Sequence, residues 1–314
     1  RSHKKDGKSF HWLADDLVGE LPGRTTVLED LGGRALPKDR YNDRVLYHDP
    51  MLIRADLKSR RHQKQHVQAA SDLADIVANN ALKSLGWKLS LERRSSFVKL
   101  VARYIARAPF LLSSYKAMLR KLNTELVIIE EACYGNSMIC LTAAARSLGL
   151  VTAEIQHGLI SRGHDAYNLP PTLSQDAIYQ KMLPDYILTY GDWWGTQLSV
   201  PVSPFTLGSP HGNAMREKPQ SGSTSEANIL VLGNGIETDK YIAFCTELSR
   251  ALPERNVKFR PHPLERLHCR ETFLNDRIGG VAIDTVPDIY TSLSDANVVV
   301  GEISTGLFEA LGIT

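Results

Sequence analysis

Two short loops near the end of the chain carry side chains suited to gripping a phosphate. Arg260-Pro261-His262-Pro263 follows the strand-like run Val257-Lys258-Phe259. Gly301-Glu302-Ile303-Ser304-Thr305-Gly306 follows the apolar run Asn297-Val298-Val299-Val300 and opens a helix-like stretch that holds Glu309. Open α/β sheets bind their ligands at the carboxyl ends of their strands, where both loops fall. A guanidinium and an imidazole on one loop, with the Ser304 and Thr305 hydroxyls at a helix start on the other, suit the phosphate of a nucleotide-activated donor. Glu309 is placed to accept hydrogen bonds from ribose hydroxyls. The loop Gly233-Asn234-Gly235, which ends the strand-like run Ile229–Leu232, completes the expected nucleotide-binding set. The plain alternatives are a Pro-rich turn with a solvated Arg260 and ordinary hydroxyl caps at Ser304 and Thr305.

A second group centres on Glu154-Ile155-Gln156-His157-Gly158. His157 ends a predicted strand, and Gly158 lets the backbone turn sharply after it. An imidazole there can take a proton as general base, or donate to a developing oxyanion. Gln156, His164 and Tyr167 are expected around it, lining the cleft or meeting the acceptor. Glu130-Glu131 closes another predicted strand. Adjacent strand residues point to opposite sides, so one carboxylate faces the cleft, where partial burial would raise its pKa toward that of a usable base. His157, Glu130 and Glu131 therefore stand as three candidate bases. The alternative for His157 is a histidine that caps its strand.

The elements that must position these groups alternate in type. Residues 125–130 and 150–156 read as strands around a helix at 137–148, and Tyr186–Tyr190 and Phe205–Leu207 continue the series. Residues 53–121 read as helical, and Ser95–Ala108 puts Phe97, Val98, Val101, Tyr104 and Ile105 on one face. Beyond a Ser-, Pro- and Gly-bearing stretch the alternation resumes, with strands at 229–232, 257–259 and 296–300 and a helix at 239–252. Strands alternating with helices predict parallel sheets flanked by helices. The expected organisation is α/β: an acceptor-binding Rossmann-like domain over 1–210, a linker over 211–227, and a nucleotide-sugar-binding Rossmann-like domain over 228–314, facing each other across a cleft. The last domain is expected to be incomplete, because it stops at Gly312-Ile313-Thr314, in what reads as the turn into one more strand.

With 314 residues and a net charge of +2, the chain is large enough for two domains and gives no argument for a nucleic-acid partner. Cys133, Cys140, Cys245 and Cys269 show no C-x-x-C spacing, which fits free thiols in a reducing, cytoplasmic setting. No run of about 18 apolar residues is present to span a bilayer. Residues 83–121 carry ten Lys or Arg against the single acid Glu92. Such a segment is suited to peripheral contact with an anionic membrane, on its inner face, equally to receiving an anionic glycan, or to a solvated helix face. His62 and His66 have a metal-compatible spacing but sit among Arg60, Arg61 and Lys64, which favours a solvated basic face. Walker, dinucleotide-fingerprint and nucleophile-elbow motifs are absent, as is an Asp-X-Asp triplet.

The order E-x-Q-H-G (154–158), Pro184–Leu188 ending in Tyr190-Gly191, Leu207-Gly208-Ser209-Pro210, R-P-H-P (260–263) and S-T-G-x-x-x-E-A (304–310) resembles bacterial surface-polysaccharide glycosyltransferases of GT-B fold. In pattern it is similar to capsule-type sialyltransferases, Kdo transferases and the polyol-phosphate transferases of teichoic acid synthesis. The resemblance covers 124–314. It implies a CMP-linked donor held by His262, with Arg260 nearby, and by Ser304-Thr305, with no metal requirement. It also implies a glycan or glycolipid acceptor. The polyol-phosphate group places its base in an H-G motif, which falls on His157. The sialyltransferases use an acidic-acidic-Gly motif, matched by Glu130-Glu131 with Ala132 in the glycine's place. Ser304-Thr305 stands where those families carry Ser-Ser.

Overall fold

The computed structural model describes residues 2–21, 23–31, 39–135, 137–216, 228–263, 265, 277–278 and 280–312. The chain opens with an antiparallel hairpin, β1 (Ser2–Lys5) and β2 (Lys8–His11), and a short helix α1 (Asp15–Glu20). Strands β3 (Val27–Glu29) and β4 (Val45–Tyr47) form a small parallel pair. The buried Arg40 guanidinium, forked on Asp15 at 3.0 and 3.1 Å, ties this region together.

Three helices follow, α2 (Asp49–Ser59), α3 (Val67–Leu85) and α4 (Leu91–Lys121). Gly86 ends α3 in the left-handed region, at φ +69, where a side chain would be strained. Ser90 then caps α4 by accepting from the Arg93 N–H at 3.2 Å. Buried residues Val98, Ala102, Ala106, Leu111, Tyr115 and Leu119 recur at helical spacing along one face of α4. Its C-terminal part joins Val127 and Ile129 of β5 (Leu126–Glu130) and Leu141, Ala144 and Ala145 of α5 (Met138–Ser147) in one core.

The remaining elements are β6 (Val151–Ile155), α6 (Pro171–Ser174), α7 (Ala177–Gln180), β7 (Tyr186–Thr189), α8 (Asp192–Gly195), β8 (Ser203–Thr206), α9 (Pro210–Arg216), β9 (Asn228–Leu232), α10 (Thr238–Ala251), β10 (Asn256–Arg260), β11 (Arg277–Ile278), β12 (Val281–Ile283), α11 (Ile289–Ser294), β13 (Val298–Val300) and α12 (Gly306–Leu311). They complete two sheets. The first is wholly parallel in the order β5-β6-β7-β8. The second has the order β11-β12-β10-β9-β13, parallel except where β11 runs against β12. The α/β class with two parallel-sheet units is thus the observed architecture. Residues 211–216 of the expected linker belong to α9, while 217–227 lie outside the described residues.

This topology fixes where ligands can go. In the second sheet the chain starts at β9, moves to β10 and β12 on one side, then returns to β13 on the other. The loops after β9 and β13 therefore diverge at a switch point, leaving a crevice beyond the strand ends. In the first sheet the register pairs Glu130 with Ile155 and Ile155 with Leu188, so the ends of β5, β6 and β7 lie level. Among the described residues, no helix is long and apolar enough to cross a membrane.

Candidate functional site

At the level ends of the first sheet, two candidate bases face each other. Glu131 follows β5 with φ +63, a left-handed conformation that a non-glycine residue adopts at a cost. Ala132 has no such φ, so the alanine where a glycine was expected meets no conformational obstacle. The turn carries the Glu131 carboxylate to 3.7 Å from His157 Nε2. His157 is buried, whereas the Glu131 side chain is half-exposed. Glu130, the neighbouring carboxylate, turns to the other side and lies 3.7 Å from His11 Nε2.

Tyr134 forms the next layer. Its ring lies 5.3 Å from that of His157 and 5.2 Å from that of His164, and its hydroxyl is 2.8 Å from His164 Nε2. Beside it opens a cavity of about 560 Å³ lined by Cys133, Tyr134, His164, Asp165 and Tyr179. A pocket of this size, with aromatic faces and a few polar groups, can take a sugar-sized ligand.

Gln156 and Tyr167, expected at the acceptor face, are fully buried and act instead as supports. The Gln156 amide accepts from Tyr190 N–H at 2.8 Å and donates to Gly158 O at 2.9 Å, locking the His157 turn to the end of β7. The Tyr167 hydroxyl donates to Glu154 at 2.6 Å, and the Cys133 N–H donates to the same carboxyl group at 2.6 Å. Glu154 therefore ties β6 to the turns that carry Tyr134 and His164. Glu154 opens the E-x-Q-H-G run, but nothing in the sequence shows that its partners are Tyr167 and Cys133.

Burial pushes the Glu154 pKa up, and its two hydrogen-bond partners only partly offset this. A folded-state pKa above the unfolded one means that the native protein holds this proton more tightly. The contribution of Glu154 to stability is then fullest below the ordinary glutamate range and falls as pH rises through the folded value. Glu154→Gln should remove this dependence. In urea unfolding, the stability of wild type relative to the glutamine variant should decline from acid to neutral pH. A difference that stays constant with pH would contradict the assignment.

The second sheet gathers the other loops. His262 lies across the loop after β9, so closely that a Cβ on Gly235 would come within 2.9 Å of its Nδ1. Gly235 itself has φ +85, which a branched side chain resists. Asn234 accepts from the N–H groups of Ile236 and Glu237, both at 3.0 Å, and so shapes the loop before α10. Glu265 is buried and accepts from His262 N–H at 2.5 Å and from Thr238 Oγ1 at 2.6 Å. Its carboxylate leaves no room for a side chain at Gly233, whose N–H donates to Arg260 O at 2.9 Å. Glu265 was not foreseen, although its place three residues after His262 is the spacing of a turn.

Gly235→Val should cost roughly 1–3 kcal/mol of stability, because a branched side chain resists the left-handed backbone and its Cβ would meet the His262 ring. Urea unfolding would measure the change. Unaltered stability would show that the His262 contact does not constrain this loop.

Arg260, expected as a phosphate ligand, is instead a buried strut. Nη1 donates to Asp284 at 2.5 Å and to Val286 O and Ser292 Oγ at 2.9 Å each. Ser304 and Thr305 stand at the start of α12, where Ser304 Oγ accepts from Gly306 N–H at 3.2 Å. Glu309 has its pKa raised by burial while Tyr290 and Thr305 hydrogen-bond to it and His211 lies near. His211 of α9 is itself 2.7 Å from Asp16 of α1, and its ring is 5.6 Å from that of Tyr290. Glu309 thus belongs to a polar contact between the two sheet units. An aromatic contact accompanies it, with Phe308 packed 4.6 Å from Trp194 and 5.7 Å from Trp193. Among the described residues, no three of His, Cys, Asp or Glu converge as a metal-ligand set.

No family model matches this chain. No curated protein matches it either. Among solved structures it is similar to UDP-GlcNAc 2-epimerase from Methanocaldococcus jannaschii, at 14% identity over 65% of this chain and 63% of that one, with a TM-score of 0.39. It is similar to UDP-GlcNAc 2-epimerase from Neisseria meningitidis bound to UDP-GlcNAc, at 14% identity over 64% and 60%, with a TM-score of 0.40. A third structure, spinosyn rhamnosyltransferase, has 14% identity over 86% and 65%, with a TM-score of 0.41. The chain spans less than two thirds of the length of each.

Proposed function

We propose that this chain is a GT-B glycosyltransferase that moves a sugar from a nucleotide donor, CMP-linked by preference, onto a bacterial surface glycan or glycolipid. The observation that carries the reading is the placing of the candidate phosphate loops at the carboxyl ends of β9, β10 and β13, around the second sheet's switch point. His262 packs against Gly235 of the loop after β9, and Ser304-Thr305 follows the neighbouring strand β13. These groups would stabilise negative charge on the departing phosphate. The cavity beside Tyr134, His164 and Tyr179 would receive the acceptor. The acceptor hydroxyl would attack the anomeric carbon as the bond to the nucleotide phosphate breaks. Its proton would pass to His157 or to Glu131, and the electron pair would leave with the nucleotide.

A thermal-shift panel of CMP, CDP, UDP, GDP and ADP against wild type and His262→Ala tests this reading. A ligand at a hundredfold excess over its dissociation constant adds about 2.7 kcal/mol of apparent stability, so occupancy is readily seen. A shift with CMP that the variant lacks supports the CMP-linked donor. A preference for CDP would point to polyol-phosphate transfer, and one for UDP to a UDP-sugar enzyme such as an epimerase. Nucleotide binding without donor turnover, insensitive to His157→Ala, would make the chain a non-catalytic binding subunit. No shift with any nucleotide would overturn the donor site.

A further inference from the structure

We propose that the turn between α3 and α4 is a docking tip that inserts into the headgroup layer of an anionic membrane. Within ten residues this turn exposes Leu82, Leu85, Trp87 and Leu91, with Trp87 70% and Leu91 87% accessible. Single exposed apolar side chains are ordinary, but four around one turn form a patch that calls for an occupant. Ile76 and Leu73 extend exposed apolar surface back along α3. The tip is also stiff. Ala70 and Ala74 pack against Val98 and Ala102. Arg94 of α4 grips Asp75 of α3 through Nε and Nη2 at 2.8 Å each, and Ser71 Oγ at 2.7 Å.

The charges select the occupant. Lys83, Lys88 and Arg93 are exposed around the same turn, against the single acid Glu92. Lysine and arginine stems lie along apolar surface while their heads reach outward, and tryptophan favours the boundary between hydrocarbon and water. Anionic headgroups attract each such cation close to the surface. A second copy of the chain fits less well, because an isologous contact would bring these cations against their own kind. These six apolar side chains are also far fewer than the roughly 20–30 residues per side of a stable protein interface. The proposal is independent of the nucleotide site.

Flotation of the whole chain with vesicles tests it, comparing pure phosphatidylcholine with phosphatidylcholine doped with phosphatidylglycerol. Binding should be about tenfold or more stronger to the anionic vesicles and should weaken as salt is raised. Leu91→Glu combined with Trp87→Ser should reduce partitioning at least about tenfold. Lys83→Glu combined with Lys88→Glu should remove the preference for anionic lipid. All four side chains are exposed, so melting temperatures should match wild type and exclude misfolding as the cause. The wild-type tryptophan emission should shift to the blue on anionic vesicles, and Trp87→Phe should lose most of that shift. Failure to float, equal binding to both vesicle types, or unchanged binding by the variants would overturn the proposal. So would a dimer, seen by light scattering, that Leu91→Glu converts to monomer, because the tip would then bind a second copy.

Discussion

Replacing His157 by alanine should slow the proposed sugar transfer by about 10²–10⁴-fold, the range for loss of a general base. The imidazole sits at the end of β6 on a turn fixed by Gln156, with the Glu131 carboxylate 3.7 Å from its Nε2. A protonated His157 would be stabilised by that carboxylate as it accepts the acceptor's proton. The loss should therefore fall on kcat, with nucleotide affinity unchanged, because His262 and the switch-point loops belong to the other sheet. Glu131→Gln should give a smaller loss and a shifted pH profile, as fits a group acting through the imidazole. The check is single-turnover kinetics with the donor that the nucleotide panel identifies. A His157→Ala enzyme within a few-fold of wild type would pass the role to Glu131 or Glu130.

Arg260→Met should cost about 3–5 kcal/mol of stability, the penalty for stranding one member of a buried ion pair. Asp284 is buried, and the Arg260 guanidinium reaches it at 2.5 Å from the end of the adjacent parallel region. The same guanidinium holds Val286 O and Ser292 Oγ, so its removal also frees the segment that leads into α11. Pairing Arg260→Met with Asp284→Leu should recover much of the loss, since an apolar replacement leaves no buried charge behind. Urea unfolding of the two single variants and the double variant makes the comparison. A variant that kept its stability and lost only nucleotide binding would return Arg260 to the phosphate.

Arg260 also shows where the sequence was readable and where it was not. Strand and helix positions were legible because the apolar patterns are strong, as in Leu126–Glu130 and Ile229–Leu232, whose alternate or continuous apolar residues are buried. That His262 and Ser304 follow strands was equally visible. Which way a charged side chain turns depends on a partner far along the chain, and nothing local announces it. Asp284 lies 24 residues beyond Arg260 and appears beside it only because β12 pairs with β10. Gln156 and Tyr167 were misplaced for the same reason, since their partners are Tyr190, just after β7, and Glu154 on β6. His211 and Asp16, 195 residues apart, could not have been connected by any pattern in the sequence.

The length of α4 sets a ruler. Its 31 residues make a rod of about 46 Å, running from the exposed turn to the start of the first sheet. Pro109 removes one rung of its hydrogen-bond ladder, at the carbonyl of Ile105, and gives the rod a place to bend. If the tip rests in a bilayer, the rod fixes the greatest height at which the sheet can stand above the lipid. An upright stance would admit only acceptors that have already grown tall enough to reach it. A tilted one would admit short, newly started chains. On the proposed function, the angle of one helix would then decide whether short or long acceptors reach the site.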